Sequence, residues 1–260
     1  TAEDTQALVI ELLGQRNDLN DVSFLIVERC AGNPFFAEEL VHSLKESGVL
    51  SEQPGGGNTS AEMIARALPP TVQAVIAERI DRLLANQKAL LHICAVIGKE
   101  IPLPVLQQVA VYLASQLESG LDSLCEAELL ELLREIASGR RFAFRHPLIQ
   151  EVAYSSQLKA RRAELHAAVA VAIEAHYRSQ PDEFAALIAY HYEAAGQPVN
   201  AAQYEARAAQ WLGATNTTQA MKHWRKARAL LSTQPRSPEI DRLRVRIGGG
   251  FVYLGWREGL

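Results

Sequence analysis

A mainly α fold follows from three features of the sequence. Apolar residues recur at helical spacing almost throughout, one short segment alternates with the period of a strand, and a glycine- and proline-rich break divides the chain. The expected architecture is a helical bundle, then a winged helix with a small β-hairpin, then an α-solenoid resembling tetratricopeptide repeats. Domain boundaries are placed at 1–68, 69–160 and 161–260.

The first well-punctuated helix lies in the stretch ERCAGNPFFAEELVHSLKESGVL. Asn33 is a favoured N-cap and Pro34 fits the first helical position. Leu40, Val41 and Leu44 form an apolar face, Lys45 sits in the last turn and Gly48 suits a left-handed cap. The segment 51–60 (SEQPGGGNTS) has no apolar residue and reads as a mobile loop. Pro69 and Pro70 end one helix and open the next. In that next helix Val72, Val75, Ile76, Ile80, Leu83 and Leu84 share a face, with Glu78, Arg79, Asp81 and Arg82 assigned to the opposite one. Phe142 and Phe144 alternate within 141–145, with Ser138 and Gly139 as a turn and 132–136 as a partner strand.

A further amphipathic helix places Leu158, Leu165, Val169, Ala172 and Ile173 inward and Arg161, Arg162 and Glu164 outward. The alanine-rich stretch 185–231 reads as several more helices. From Tyr204 the set Tyr204, Ala208, Trp211, Ala220, Trp224 and Ala227 has tetratricopeptide spacing. A second register pairs 185–195 with 199–211 through the turn at Gly196–Pro198, leaving the number of repeats open. The chain starts at Thr1 and stops at Leu260 inside a helical pattern, with Tyr253, Leu254 and Trp256 awaiting a stacking partner. A piece of a longer protein is expected.

Composition excludes several classes. With 48% hydrophobic residues the chain is not disordered, and a net charge of −4 gives no overall attraction to phosphate backbones. Cys30, Cys94 and Cys125 have neither disulfide-framework nor zinc spacing, so reduced thiols in the cytoplasm are expected. No apolar run is long enough for a membrane span. His42, His92, His166, His176, His191 and His223 form no i, i+4 metal pair and read as surface or packing residues. Gly55–Gly57 and Gly248–Gly250 read as flexible or close-packing glycines.

GNPFFAEEL with ESGVL, then LPPTVQAVIAERIDRL, then FRHPLIQEVAY, resembles the region after the nucleotide-binding core in signal-transducing ATPases with numerous domains. The likeness is to bacterial proteins fusing such an ATPase to a class III adenylate/guanylate cyclase or to a LuxR-type DNA-binding domain. It implies the order helical lid, winged helix, tetratricopeptide-like repeats, over about residues 1–231. It also implies that Gly32, Asn33 and Pro34 form the element whose proline lies against adenine. His146 falls where the family's Met-His-Asp histidine approaches the β-phosphate of ADP, although Arg145 and Pro147 replace the flanking residues. Locally, Pro147 opens a helix whose N-terminus favours an anion. The residues fit equally well a histidine that caps the wing and packs on Phe144.

The chain has no GxxxxGK[ST] motif and no paired metal-binding aspartates in a cyclase-like sheet, so no catalytic residue or metal site is assigned. The resemblance implies that ATP or ADP is held through an upstream core in a parent that is an ATPase and, in the cyclase fusions, an adenylate cyclase. The expected helix over 121–134 carries Asp122, Glu126, Glu128 and Glu131, which repel DNA. Arg140, Arg141, Arg145, Lys159, Arg161 and Arg162 read as a solvated or interdomain face. The expected function is a regulatory module that closes over nucleotide and relays its state to an effector domain. The alternative is a helical protein-binding scaffold that never contacts nucleotide. Partners in the first reading are the ATPase core and effector of the same polypeptide and a protein bound by the repeats, with no nucleic acid and no membrane.

Overall fold

The fold is described from a computed structural model for residues 2–14, 19–46, 68–136, 139–180, 182–213 and 215–258. It divides into two compact units, residues 1–84 and 85–260. The loop expected at 51–60 and the cap expected at Gly48 lie outside the described residues.

The first unit is built from α1 (Ala2–Leu13), α2 (Asn20–Cys30), α3 (Pro34–Glu46) and α4 (Val72–Arg82). Its core gathers Val9, Ile26, Leu40, Val41, Ile76 and Ile80. Thr71 caps α4 by accepting the Ala74 N–H at 3.2 Å, so Pro69 and Pro70 stand just before the helix and not in its first turn. Because α4 packs on α3, this unit continues past the proline pair to Leu84.

Arg79 departs from its expected place on the polar face. Only 3% of it is exposed, and its Nη1 donates to Glu39 Oε2 of α3 at 2.7 Å. The apolar stripe of α4 therefore carries one cation, matched by a carboxylate on the helix it meets. Leu84, expected inside, is exposed.

The second unit begins with α5 (Ala85–Ile97), β1 (Glu100–Pro102), α6 (Leu103–Val109), a 3₁₀ turn (Val111–Gln116) and α7 (Leu117–Glu126). Then come β2 (Leu130–Ile136) and β3 (Gly139–Phe144). The strands form an antiparallel sheet in the order β1-β3-β2, with Ile101 opposite Phe142 and Leu130 opposite Phe144. This is a winged helix. Strand β1 was not foreseen, and the expected helix over 121–134 ends at Glu126. Glu128, at φ +55°, turns the chain into β2. The turn expected at Ser138 falls outside the described residues, while Gly139, at φ +108°, opens β3. Phe142 and Phe144 are buried, as their alternation predicts, over a core of Leu90, Ile93, Leu106 and Leu121.

After α8 (Pro147–Ser155), α9 (Lys159–His176) buries Leu165, Val169, Ala172 and Ile173 as expected, while Leu158 precedes it and is exposed. Helices α10 (Ala185–Ala194), α11 (Pro198–Leu212), α12 (Thr217–Ser232) and α13 (Pro238–Glu258) follow as an α-solenoid, each packed on the next. Helix α11 packs on α10 on one side and on α12 on the other. Small residues make this close approach possible: Ala202, Ala206, Ala209, Ala220 and Ala227 are fully buried around Trp224. Trp211 is exposed, so it lies outside that core. Of the three consecutive glycines in α13, only Gly250 is a close-packing residue. A Cβ there would come within 2.3 Å of the Trp224 ring, whereas at Gly248 and Gly249 it would meet nothing within 4 Å.

Two outcomes test this packing by chemical denaturation. Gly250→Ala destabilises the second unit by about 1–3 kcal/mol because the indole must move. Gly249→Ala instead stabilises it by up to about 1 kcal/mol, the ordinary gain in a helix interior. In the first unit Arg79→Ala strands Glu39 in the core and costs about 3–5 kcal/mol. The Glu39→Met, Arg79→Leu pair is nearly neutral.

Candidate functional site

The Gly32–Pro34 element is a turn between two helices. Helix α2 ends with Ala31 in the left-handed region at φ +47°, followed by Gly32 at φ +84°. The Asn33 N–H returns to the Cys30 carbonyl at 2.9 Å, and Asn33 Oδ1 accepts the Phe36 N–H at 3.2 Å. Asn33 is therefore the cap of α3. Pro34 occupies the first helical position, where its missing N–H costs nothing, and its ring is exposed. The turn presents Gly32, Asn33 and Pro34 together on the surface of the first unit.

His146 belongs to the second unit. Its backbone is extended (φ −141°, ψ 142°), as the following proline dictates, and its Nδ1 accepts the Leu148 N–H at 3.2 Å. The ring thus caps α8 and uses one of the donors that the helix N-terminus would otherwise offer an anion.

Three arginines of the winged helix are matched within it. Arg141 pairs with Glu100 at 3.0 Å, Arg145 with Glu128 at 3.3 Å and Arg140 with Glu118. Arg162 lies over the Tyr154 ring, 4.6 Å from its centre. Helix α7 exposes Glu118, Asp122 and Glu126. A duplex approaching this face meets carboxylates, not a free cationic stripe.

A second cluster was invisible in the sequence. His166 of α9 and His191 of α10, 1% and 0% exposed, face each other with their Nδ1 atoms 2.9 Å apart, and His166 Nε2 lies 2.9 Å from the Tyr154 hydroxyl. Burial, reinforced by the Arg162 charge, pushes His166 down to about 4. Burial, with His166 alongside, pushes His191 down to about 3. Both rings are neutral at physiological pH, and of the two expected roles, surface or packing, these histidines take the second. Spacing within one helix could not reveal them, because the pair forms between neighbouring helices.

The three cysteines are free thiols, with Cys30 pushed up to about 11 by burial and Cys94 and Cys125 raised for the same reason. None is a poised nucleophile. Among the described residues no group of histidine, cysteine and carboxylate side chains could hold a metal, and no helix is long and apolar enough to cross a membrane.

No family model matches the chain. It is similar to an uncharacterised protein of Rhizobium meliloti (strain 1021), with 27% identity over 150 residues, 55% of this chain. The matched segment spans 13% of that protein's length.

The buried histidines make stability depend on pH. The unfolded chain takes up protons near pH 6.5, whereas the folded pair resists protonation until about pH 4, so the unfolded state gains as pH falls through this interval. The thermal midpoint of the second unit is expected to drop between pH 7.5 and pH 5. In the His166→Gln, His191→Gln variant the same pH step has a smaller effect.

Proposed function

We propose that this chain is a regulatory and interaction module of a larger nucleotide-dependent signalling ATPase. The observation that supports this best is the succession of a winged helix and a close-packed α-solenoid after a helical unit that exposes Gly32, Asn33 and Pro34 on a capped turn. That succession is the one implied by the resemblance to signal-transducing ATPases with numerous domains. In this reading Pro34 lies against the adenine of a nucleotide held by an upstream core, and His146 approaches the β-phosphate of ADP.

The module itself performs no chemistry and binds neither nucleotide nor metal alone. It relays the nucleotide state to an effector outside this chain, an adenylate or guanylate cyclase or a transcription-regulator domain, in the cytoplasm. The solenoid supplies the protein-binding surface. The carboxylate-matched arginines and the acidic α7 argue for a winged helix that docks within the protein and not on DNA. As in other switches, ADP would favour the closed arrangement and exchange for ATP the released one.

Nucleotide affinity of the full-length native protein tests the proposal. Pro34→Ala and His146→Ala are each expected to weaken ADP binding about tenfold, the loss of roughly one 1.4 kcal/mol contact. They should also raise effector output without ADP exchange. Unchanged affinity and output in both variants would favour a helical scaffold that never meets nucleotide.

A further inference from the structure

Helices α12 and α13 of the solenoid enclose a groove of about 490 Å³. Leu231 of α12 and Ile247, Gly248 and Phe251 of α13 line it with apolar surface, and Arg228 and Arg244 bring two cations to it. Arg228 and Gly248 are exposed and Phe251 is half-buried, so a molecule entering from solvent reaches all three. Gly248 leaves room for it, because a Cβ there would meet nothing within 4 Å. The size suits a small organic molecule.

The two arginines differ in what they still offer. Arg244 Nη1 donates to Asp241 Oδ1 at 3.0 Å, and its Nη2 donates to the Leu231 and Gln234 carbonyls at 2.9 Å each. Its charge is therefore already met, and it covers carbonyls at the end of α12 that would otherwise repel an anion. Arg228 has its guanidinium over the Phe251 ring, 4.7 Å from the centre, and is paired with no carboxylate or other acceptor among the described residues. A guanidinium held over a ring keeps its N–H donors free along the edge, in the fork that matches a carboxylate. Helix α12 strengthens the attraction, because it carries Lys222, Arg225, Lys226 and Arg228 and neither Asp nor Glu. One unmatched cation beside an apolar groove selects a single anionic group joined to an apolar body.

We propose that this groove binds a small carboxylate with an aromatic or branched apolar body, its carboxylate on the Arg228 guanidinium and its body on Gly248 beside Phe251. Fork and carboxylate supply orientation, and the apolar lining supplies the burial that an exposed ion pair alone lacks. Because α12 and α13 both contribute, a bound ligand ties these two helices together. The inference stands independently of the nucleotide reading.

Titration of the 260-residue chain with 3-phenylpropionate and, separately, with 3-phenylpropanol tests it, followed by NMR through the Gly248 amide and the Arg228 Nε–H signals. The expected result is a saturable shift of both signals by the acid, with the alcohol about tenfold weaker for want of the charge-assisted contact. Gly248→Leu fills the groove from a position with open space and should abolish binding, read on the Arg228 signal. Gly249→Leu, equally open but outside the groove lining, should leave binding intact. Arg228→Met keeps an apolar stem beside Phe251 and should bring the acid down to the affinity of the alcohol, read on the Gly248 signal. The proposal is overturned by the absence of a saturable shift, by equal affinity for acid and alcohol, by undiminished binding in the Gly248→Leu or Arg228→Met protein, or by equal loss in the two glycine variants.

Discussion

Helix α9 must satisfy neighbours on more than one side, and the architecture of the second unit depends on how it does so. It packs on α5 and α6 of the winged helix and also on α10, the first helix of the solenoid. A helix so placed cannot be amphipathic in the simple sense. Its sequence KARRAELHAAVAVAIEAH accordingly uses alanines to let backbones approach, larger residues at Leu165, Val169 and Ile173, and a histidine where α10 meets it. Through this shared helix the winged helix and the repeats form a single compact unit. Residues expected to mark a boundary near 160 instead mark the place where two modules use one element.

The solenoid continues the same logic with polar cross-links added. Glu205 of α11 is buried, and although burial opposes its charge, hydrogen bonds from His223 and Lys226 hold its carboxyl below the usual range. Lys226 Nζ lies 2.7 Å from Glu193 and 2.8 Å from Glu205, joining α10, α11 and α12. A buried carboxylate is tolerable only with such partners, so these ion pairs fix the register of helices whose alanine faces would otherwise slide. Trp224 then sets the position of α13, because its indole occupies the space that a side chain at residue 250 would need.

Features encoded locally were legible in the sequence. Asn33 as a cap, Pro34 and Pro147 as first helical residues, the Phe142–Phe144 alternation and the Leu40–Leu44 face each depend on neighbours within about one helical turn or strand repeat. What escaped depends on partners distant in the chain. Arg79 looks like a surface residue until α3 brings Glu39 to it. The partner strand expected at 132–136 is present, but it begins at Leu130, where pairing with Phe144 and not a local pattern extends it. Strand β1 is too short to show a period. His166 and His191 are linked by no local pattern, since each is placed by a different helix.

The two kinds of histidine in this chain show two ways in which a fold constrains an imidazole. His146 lies at a helix start where the fold already uses its Nδ1 on the Leu148 N–H. That bond fixes the ring's orientation and makes Nδ1 the acceptor. The buried pair gains its constraint differently: His166 is held between Tyr154 and His191. Orientation is local and sequence-readable in the first case, collective and tertiary in the second. The ring positioned by a helix cap keeps contact with solvent, whereas the neutral pair is closed inside the packing of α9 and α10. The same side chain is thus held in two ways, at a helix start and between packed helices, which differ in how much water each ring retains.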